Sequence, residues 1–419
     1  MNYKRTMYIG LSFMGISAFW QLYDNIIPLI LKNTFQLSDT LSGAIMAIDN
    51  VIAVLLLPAL GAWSDRVDTR IGKRMPFILV GTLLSVAFMM LVPLADQSRN
   101  LGLLILCLGA VLISMALYRS PAVALMPDLT PPHLRSQGNA VINVMGALGA
   151  MLSLALIHFL VPHTPHPDYT PLFGCVATGM LLSMLLLVWK VQEKKLAAQI
   201  AREYPQESFD APETTGGQLS PAVRRSLTFG LLTVAFYYIS YNGVTTTFSR
   251  YAQQVWGLTG GSFALSLMVV AVTAFLSYIP LGALSSRIGR KKVILMGFAM
   301  MLISFVAISL VSTYHAWVNL WFITVGIGGS AVGVNIFPVI VDMCAKEDVG
   351  KYTGLYYTFS MAAQIITPIL SGALLEHISY RTLFPYAAVF AVLGFISTLQ
   401  VRHGDHRPDM KQLLRDLDN

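Results

Sequence analysis

The chain has 419 residues, of which 55% are hydrophobic and 12% are charged, and its formal net charge at pH 7 is +7. A soluble domain carries about 25% charged residues, so this chain has too few to cover a water-soluble fold. Its basic residues form short clusters between apolar runs rather than one patch, which argues against a nucleic-acid partner. The three cysteines lie within or at the ends of apolar runs, and we expect neither a disulfide framework nor a metal site.

Apolar runs long enough to cross a bilayer recur along the whole chain. A membrane-spanning helix needs about 20 mostly apolar residues, and none of these runs shows the sustained alternation of a barrel strand. The first run is too long for a cleaved signal peptide, so we interpret it as a span. We therefore expect an all-α membrane protein with twelve transmembrane helices, near 7–31, 41–63, 76–95, 101–127, 138–161, 172–190, 226–252, 261–285, 291–312, 317–342, 353–376 and 382–401.

Lysine and arginine accumulate in alternate loops, and this asymmetry sets the expected orientation. One side collects many basic residues, whereas the other side has only Lys32, Arg99, Arg250 and Arg381. Because loops rich in Lys and Arg stay in the cytoplasm, we expect both termini to be cytoplasmic. The expected location is the inner (plasma) membrane, as a multi-pass protein.

A polar segment divides the twelve runs into two sets of six. Part of it is rich in Pro, Gly, Glu and Thr, which is typical of a flexible linker, and 190–203 is a candidate amphipathic helix for the membrane surface. We expect an N-terminal six-helix bundle at 1–190, a cytoplasmic linker at 191–225, a C-terminal six-helix bundle at 226–402 and a cytoplasmic tail at 403–419.

The two halves carry similar chemistry in corresponding loops. Gly61-Ala-Trp-Ser-Asp65-Arg66 links the second and third runs, and Gly282-Ala-Leu-Ser-Ser-Arg287 links the eighth and ninth. The fourth and tenth runs both end near an aspartate, at Asp128 and Asp342. This correspondence predicts two pseudo-symmetric structural repeats around a central site.

The loop that continues from Asp65-Arg66 to Arg70-Ile-Gly72-Lys73-Arg74 resembles the signature loop of the major facilitator superfamily. The stretch 64–78 is most similar to that of the sucrose/proton symporters and the related glycoside–pentoside–hexuronide cation symporters. The resemblance implies the major facilitator fold and transport of a sugar or glycoside. Two features depart from the pattern: Ser286 stands where Asp65 would match, and Arg119 lies earlier in the fourth span than expected.

The charged loop residues are candidates for a cytoplasmic gate. We expect Asp65 with Arg66 and Arg74 to form an ion-pair network that holds one conformation closed, the alternative being ordinary positive-inside charge. The same two interpretations apply to Asp128 with Arg135. The gate candidates are Gly61, Asp65, Arg66, Arg70, Gly72, Lys73, Arg74, Asp128, Arg135 and Asp342.

Three ionisable residues fall at membrane depth, where charge is costly and therefore suggests function. Asp24 and Asp49 lie on antiparallel spans at similar depth, and Arg119 lies slightly closer to the cytoplasm. We expect the three to converge, with Asp49 as the first candidate for the proton site and Asp24 as the second. The alternative is a fixed Asp–Arg pair that only supports the fold.

Aromatic and polar residues near mid-membrane are candidates for contacting a solute. Tyr237, Tyr238, Tyr241 and Asn242 recur at helical spacing, which suits stacking on a sugar ring and reading of its hydroxyls, although an aromatic packing seam is an equal alternative. The remaining candidates are Trp20, Gln21, Asn25, Asn50, Asn335, Tyr357 and Gln364.

The sequence lacks the motifs of ATP-driven pumps and of membrane hydrolases. There is no phosphate loop, zinc motif or nucleophile elbow, so we expect no enzyme and no cofactor. We expect a monomeric secondary active transporter that moves a small polar solute by proton-coupled symport with alternating access, with sodium as the alternative coupling ion. A drug or metabolite exporter working as a proton antiporter is the alternative on the same fold. A non-transporting membrane sensor or membrane enzyme is the alternative from another class.

Overall fold

The computed structural model describes residues 3–130, 135–164, 166–203, 220–343 and 349–404. Within these residues the chain is helical, and β-structure is limited to one isolated bridge between Thr69 and Gly72. The described α-helices are α1 (Tyr3–Asn33), α2 (Asp39–Arg66), α3 (Met75–Gln97), α4 (Leu101–Asp128), α5 (Arg135–Leu160), α6 (Thr170–Lys190), α7 (Glu193–Glu203), α8 (Pro221–Trp256), α9 (Ala264–Ile288), α10 (Arg290–Ser309), α11 (Asn319–Val341), α12 (Val349–His377) and α13 (Leu383–Gln400).

Several helices begin and end at residues whose chemistry favours a terminus. Ser38 precedes α2 and accepts a hydrogen bond from the Leu41 N–H at 3.2 Å, and Asn100 precedes α4 and accepts one from the Leu103 N–H at 3.0 Å. Such side chains satisfy N–H groups that have no partner within the helix. The 36-residue α8 stops at Gly257, whose φ of 64° is the left-handed conformation that glycine adopts without strain.

Among the described residues, ten helices, α2 to α6 and α9 to α13, contain segments long and apolar enough to cross a membrane. The other two long helices, α1 and α8, coincide with predicted runs but are more polar, and α1 carries Asp24 and Asn25. The expectation of a helical membrane protein is thereby confirmed. The count of twelve crossings and the cytoplasmic placement of both termini stay predictions.

The described chain falls into two compact units. The first unit is drawn from Met1–Asp210 with Leu258–Met268, and the second unit from Ala211–Gly257 with Val269–Asn419. In the first unit α1 packs against α4, α5 and α6, and α3 packs against α4 and α6. In the second unit α8 packs against α11, α12 and α13, and α10 packs against α11 and α13. The same order of helix contacts therefore occurs twice.

Glycines allow the tightest of these helix contacts. A Cβ at Gly81 would lie 2.7 Å from the main-chain nitrogen of Tyr118, so α3 and α4 approach each other closely there. On α11 a Cβ at Gly328 would lie 2.7 Å from the carbonyl oxygen of Gly297, and one at Gly329 would lie 2.6 Å from the Tyr241 ring. Small residues on α11 thus serve close helix packing.

The short helix α7 packs on the first unit. Glu193 and Ile200 are 2% and 5% exposed, Leu196 and Ala197 are half-buried, and these four residues share one face of the helix. The opposite face exposes Lys194 and Lys195. The apolar face of this segment therefore contacts protein, whereas the sequence suggested a membrane surface.

Candidate functional site

A polar cluster in the first unit is built from α1, α2 and α4. Asp24 interacts electrostatically with Asp49, and Asp49 interacts with Arg119. The Arg119 guanidinium also lies over the Trp20 ring, with its carbon 5.8 Å from the ring centroid, a cation–π arrangement. Asp24, Asp49 and Arg119 are all half-buried. The structure thus brings together the three ionisable residues that the sequence places at similar depth.

Hydrogen bonds fix several members of this cluster. The Asn50 N–H and side-chain amide both donate to one oxygen of Asp49, at 2.5 and 2.6 Å. The Asn25 amide donates to the Gln21 carbonyl oxygen at 2.9 Å and to the Gln21 side-chain oxygen at 3.3 Å. These bonds hold the Asp49 and Asn25 side chains on their own helices.

Other polar atoms of the cluster are buried without a hydrogen-bond partner among the described residues. They are Trp20 Nε1, Tyr23 Oη and Asn25 Oδ1. Tyr23, which the sequence analysis did not select, interacts electrostatically with both Asp24 and Asp49. A buried polar atom without a partner is costly, which sets these three atoms apart from the polar groups that bond within their own helices.

Tyrosines from three helices form a second cluster, in the second unit. Tyr237, Tyr238 and Tyr241 come from α8, and they interact with Tyr278 of α9 and Tyr356 of α12. The Tyr238 and Tyr356 hydroxyls lie 3.3 Å apart, and the Tyr237 and Tyr241 rings stack with centroids 5.7 Å apart. We call Tyr237, Tyr238, Tyr241, Tyr278, Tyr356 and Tyr357 the tyrosine cluster.

The members of the tyrosine cluster differ in what their side chains already contact. Tyr237 is 8% exposed and donates to the Gly329 carbonyl oxygen at 3.1 Å, while the Tyr241 ring packs against Gly329. Tyr278 and Tyr357 are 46% and 53% exposed. Tyr237 and Tyr241 therefore belong to the packing of α8 on α11, whereas about half of the surface of Tyr278 and of Tyr357 is exposed.

Three further candidates of the second unit hydrogen-bond within their own helices. Asn335 is 2% exposed and donates to the Ala331 carbonyl oxygen at 2.9 Å, and Gln364 donates to the Ser360 carbonyl oxygen at 3.2 Å. The Asn242 side-chain oxygen accepts from the Thr245 hydroxyl at 3.4 Å. Of the three, the buried Asn335 is the least accessible to a solute.

An ion-pair cluster joins the end of α2, the start of α3 and the end of α4. The Arg74 guanidinium donates to Asp65 and to Ser64, and it donates to Asp128 at 2.8 Å and to the Gly61 carbonyl oxygen at 3.4 Å. Arg74 is 5% exposed, whereas Asp65 and Asp128 are 57% and 28% exposed. One nearly buried cation is thus shared by two partly exposed carboxylates.

The other gate candidates of this loop lie outside that cluster. The Arg66, Arg70 and Lys73 side chains are exposed, so Arg74 rather than Arg66 is the partner of Asp65. Asp128 pairs with Arg74, while the Arg135 side chain lies outside the described residues. In the second unit Asp342 pairs with Arg290, and both residues are about 30% exposed.

The sequence of the chain matches the family model of the Major Facilitator Superfamily at residues 9–277 and 230–414. The chain belongs to the major facilitator superfamily. It is therefore a multi-pass membrane protein of a transporter family, and the expectation that it is not an enzyme is confirmed by this membership.

Characterised relatives match only parts of the chain. Proton-associated sugar transporter A of Homo sapiens is 30% identical over 161 residues, 35% of this chain and 21% of the relative. Sucrose transport protein SUC3 of Arabidopsis thaliana is 27% identical over 192 residues, 41% of this chain and 32% of the relative. Multidrug transporter MdfA of Yersinia pestis is 32% identical over 117 residues, 28% of each chain. The chain spans about a fifth to a third of the length of these relatives.

Solved structures resemble the fold along nearly the whole chain. A bacterial homologue of the iron transporter ferroportin, in an inward-facing state, has a TM-score of 0.67 and 16% identity, covering 96% of this chain and 99% of that one. The peptide transporter POT in complex with sulfate has a TM-score of 0.68 and 14% identity, covering 95% and 93%. At these identities the likeness is one of fold alone.

Proposed function

We propose that this protein is a secondary active transporter that carries an uncharged sugar or glycoside together with a proton. The observation that carries the proposal is the cluster of Asp24, Asp49 and Arg119 in the first unit. Two carboxylates and one guanidinium at membrane depth leave one negative charge uncompensated, and a single proton neutralises it. Ionisable groups are retained at such depth when they face a wet passage and carry ions.

The tyrosine cluster supports a neutral, ring-shaped solute. Tyr278 and Tyr357 offer exposed aromatic surface with hydroxyls at the edge, which suits the apolar face and the hydroxyls of a sugar ring. The relatives named as sugar and sucrose transporters agree with this choice. We propose that Asp49 takes up the proton, that Asp24 and Tyr23 tune its environment, and that Tyr238, Tyr278 and Tyr357 contact the solute.

We propose the following topology for this activity. Twelve helices cross the inner membrane as two six-helix bundles, both termini face the cytoplasm, and residues near 191–225 link the bundles. The ion-pair cluster around Arg74 then lies on the cytoplasmic side and stabilises one conformation during alternating access. A cysteine introduced in the α2–α3 loop should be labelled by an impermeant reagent in inside-out vesicles and not in intact cells.

Transport in proteoliposomes tests the proposal directly. With radiolabelled sucrose as the probe and an interior-alkaline pH gradient, we expect accumulation that a protonophore abolishes. A sodium gradient at constant pH serves as the control for the other coupling ion. Uptake driven by sodium alone would contradict proton coupling, and failure of sucrose and a panel of glycosides to move at all would contradict the sugar assignment.

A drug exporter on the same fold is the second candidate, because part of the chain matches a multidrug transporter. It predicts that, in the same interior-alkaline pH gradient, a preloaded lipophilic cation such as ethidium leaves the vesicles as protons enter, while sucrose does not enter. The direction in which the solute moves relative to the proton separates the two candidates. A membrane sensor predicts no flux of either probe.

A further inference from the structure

A carboxylate from the segment after α6 is buried at the N-terminus of α3. Glu193 is 2% exposed, and it accepts hydrogen bonds from the main-chain N–H groups of Lys73 at 2.9 Å, Arg74 at 3.0 and 3.1 Å, and Met75 at 2.9 Å. N–H groups at the start of a helix lack partners within it and lie at its positive end. Glu193 therefore satisfies the first N–H group of α3 and the two that precede it, with a charge of the favourable sign.

The loop before α3 is shaped around this carboxylate. Gly72 has a φ of 124°, and a Cβ at that position would collide with the Glu193 carboxylate. Next to it, Lys194 donates to the two oxygens of Asp68 at 2.9 and 3.0 Å. Helix α7 is thus fastened to the α2–α3 loop by one buried and one exposed contact.

The buried contact and the ion-pair cluster share one residue. The main-chain N–H of Arg74 donates to Glu193, while its guanidinium donates to Asp65 and Asp128. The position of the Arg74 main chain sets where its guanidinium can reach. Displacement of Glu193 would leave the main-chain N–H groups of Lys73, Arg74 and Met75 without this acceptor and would move the cation of the cluster.

Among the residues that the structure describes, the start of α10 has different contacts. Helix α10 follows Gly289, which supplies no side-chain hydrogen bond to the helix start. Lys291 instead donates to the carbonyl oxygens of Leu399 and Val401 at 2.9 and 2.6 Å, at the end of α13.

We propose that Glu193 is a positioning residue for the Arg74 ion-pair cluster, and that α7 is a latch whose docking holds this cluster formed. Release of α7 frees the start of α3 and loosens Arg74, which makes the conformation that the cluster stabilises easier to leave. The inference rests on the proposed role of the cluster in the transport cycle. It assigns to the segment after α6 a control over that cycle.

A labelling experiment tests the latch without any solute. In the full chain with Cys107, Cys175 and Cys344 replaced by serine, Ala197→Cys places a thiol on the docked face of α7. We expect Glu193→Gln to speed its reaction with a maleimide about tenfold or more, because the substitution removes the charge that strengthens the hydrogen bonds from the main-chain N–H groups. Lys195→Gln, which removes a charge from the exposed face of the same helix, should leave the rate unchanged.

A double-variant cycle distinguishes the latch from a local helix cap. Asp65→Asn should also speed labelling of Ala197→Cys severalfold, and the double variant with Glu193→Gln should fall short of the product of the two effects. Such non-additivity is expected when two residues act through one partner, here Arg74. An unchanged rate in Glu193→Gln, or effects that multiply without coupling, would overturn the proposal.

Transport supplies a second readout. With sucrose as the probe, Glu193→Gln should change the maximal uptake rate severalfold and leave KM near its original value, and Glu193→Asp should restore part of the difference. A shift in KM alone would contradict a positioning role. Absence of sucrose uptake by the unmodified chain would count against the proposed function, whereas the labelling results would stand. If Glu193→Gln does not fold, Lys194→Gln tests the same latch through its exposed contact, with a smaller expected acceleration.

Discussion

The two units share a packing scheme but differ in charge. Arg119 of α4 stands nine residues before Asp128, and at the matching position of α11, nine residues before Asp342, stands Gly333. Asp49 stands twelve residues before Gly61, and Val270 stands twelve residues before Gly282. A Cβ at Gly333 would lie 3.2 Å from the Tyr237 hydroxyl, so the space that holds a guanidinium in one unit lies against a tyrosine in the other.

The ion pairs near the ends of the helices also carry more charge in the first unit than in the second. In the first unit Arg74 is nearly buried and serves two carboxylates, whereas in the second unit Arg290 is 29% exposed and pairs with Asp342. Ser286 occupies the place of Asp65. A repeated set of helix contacts evidently does not fix the chemistry that each copy carries. The comparison favours ion coupling in the first unit and recognition of an uncharged ring in the second.

The largest contrast should come from the two loop arginines. Arg74→Ala removes a cation that is 5% exposed and leaves two carboxylates without it, so we expect a loss of about 3 kcal/mol in stability. Arg290→Ala breaks a partly exposed pair and should cost no more than about 1 kcal/mol. Thermal unfolding midpoints of the purified proteins in detergent measure both. Equal midpoints would contradict the stated difference between the units.

Loss of the proposed proton site is the next effect in size. Asp49→Asn keeps the shape and the contact with Asn50 but cannot release a proton, so gradient-driven accumulation of sucrose should fall about tenfold, a change of about 1.4 kcal/mol. Exchange of labelled for unlabelled sucrose without a gradient should persist. Asp342→Asn in the second unit is the matched control, because it should slow transport without altering its dependence on pH. Unchanged accumulation in Asp49→Asn, with an intact pH profile, would remove Asp49 from the mechanism.

Substitutions in the tyrosine cluster should separate contact with solute from packing. Tyr357→Ala removes an exposed ring and should raise the KM for sucrose about three- to tenfold, since aromatic contacts contribute about 0.5–1.5 kcal/mol. Tyr237→Phe removes the bond to Gly329 and should lower stability by about 1 kcal/mol while KM stays the same. Initial uptake rates over a range of sucrose concentrations, with melting curves of both variants, provide the measurement. If the KM rose in Tyr237→Phe and not in Tyr357→Ala, then Tyr237 rather than Tyr357 would be the residue that contacts the solute.

Much of the fold could be predicted from the sequence because hydrophobic runs and basic loops are local signals. The predicted runs coincide with α1 to α6 and α8 to α13 within a few residues at most ends. The Asp65 and Arg74 pair could also be predicted, since the two residues are only nine positions apart in the chain. The packing of α7 was not, because an amphipathic pattern does not say whether its apolar face meets lipid or protein.

The less predictable parts of the site depend on contacts between distant segments. Glu193 follows the start of α3 by about 120 residues. Nothing in the sequence around it indicates that a glutamate in a basic linker is buried. The sequence candidates included neither Tyr278 nor Tyr356, although Tyr357, the neighbour of Tyr356, was among them. Asn335 was chosen from the sequence as a solute contact, but its side chain bonds to its own helix. The sequence pattern of an amide at membrane depth is the same in both situations.

The smallest expected effect is on stability, and it concerns the hydrogen bonds before α6 in the first unit and before α13 in the second. Before α6 the Asp168 carboxylate accepts from Thr170 and from the Gln97 amide, and these hydrogen bonds, those from Thr170 first, hold its pKa below the ordinary value of 3.8. Before α13 the uncharged Ser379 hydroxyl accepts from the Arg381 N–H at 3.2 Å.

A carboxyl group with a lowered pKa in the fold contributes its stability at pH above the unfolded value and loses it as pH falls through the folded one. The contribution of Asp168 should therefore be complete near neutral pH and decline below about pH 4. Because the group is exposed, the whole effect should stay within about 0.5 kcal/mol. Melting temperatures between pH 6 and pH 3 should drop slightly less for Asp168→Asn than for the unmodified chain, and Ser379→Ala should show no such pH dependence. A pH-dependent difference in Ser379→Ala would mean that the second unit carries a titrating contact of its own near α13, and the contrast in charge between the units would fail at that point.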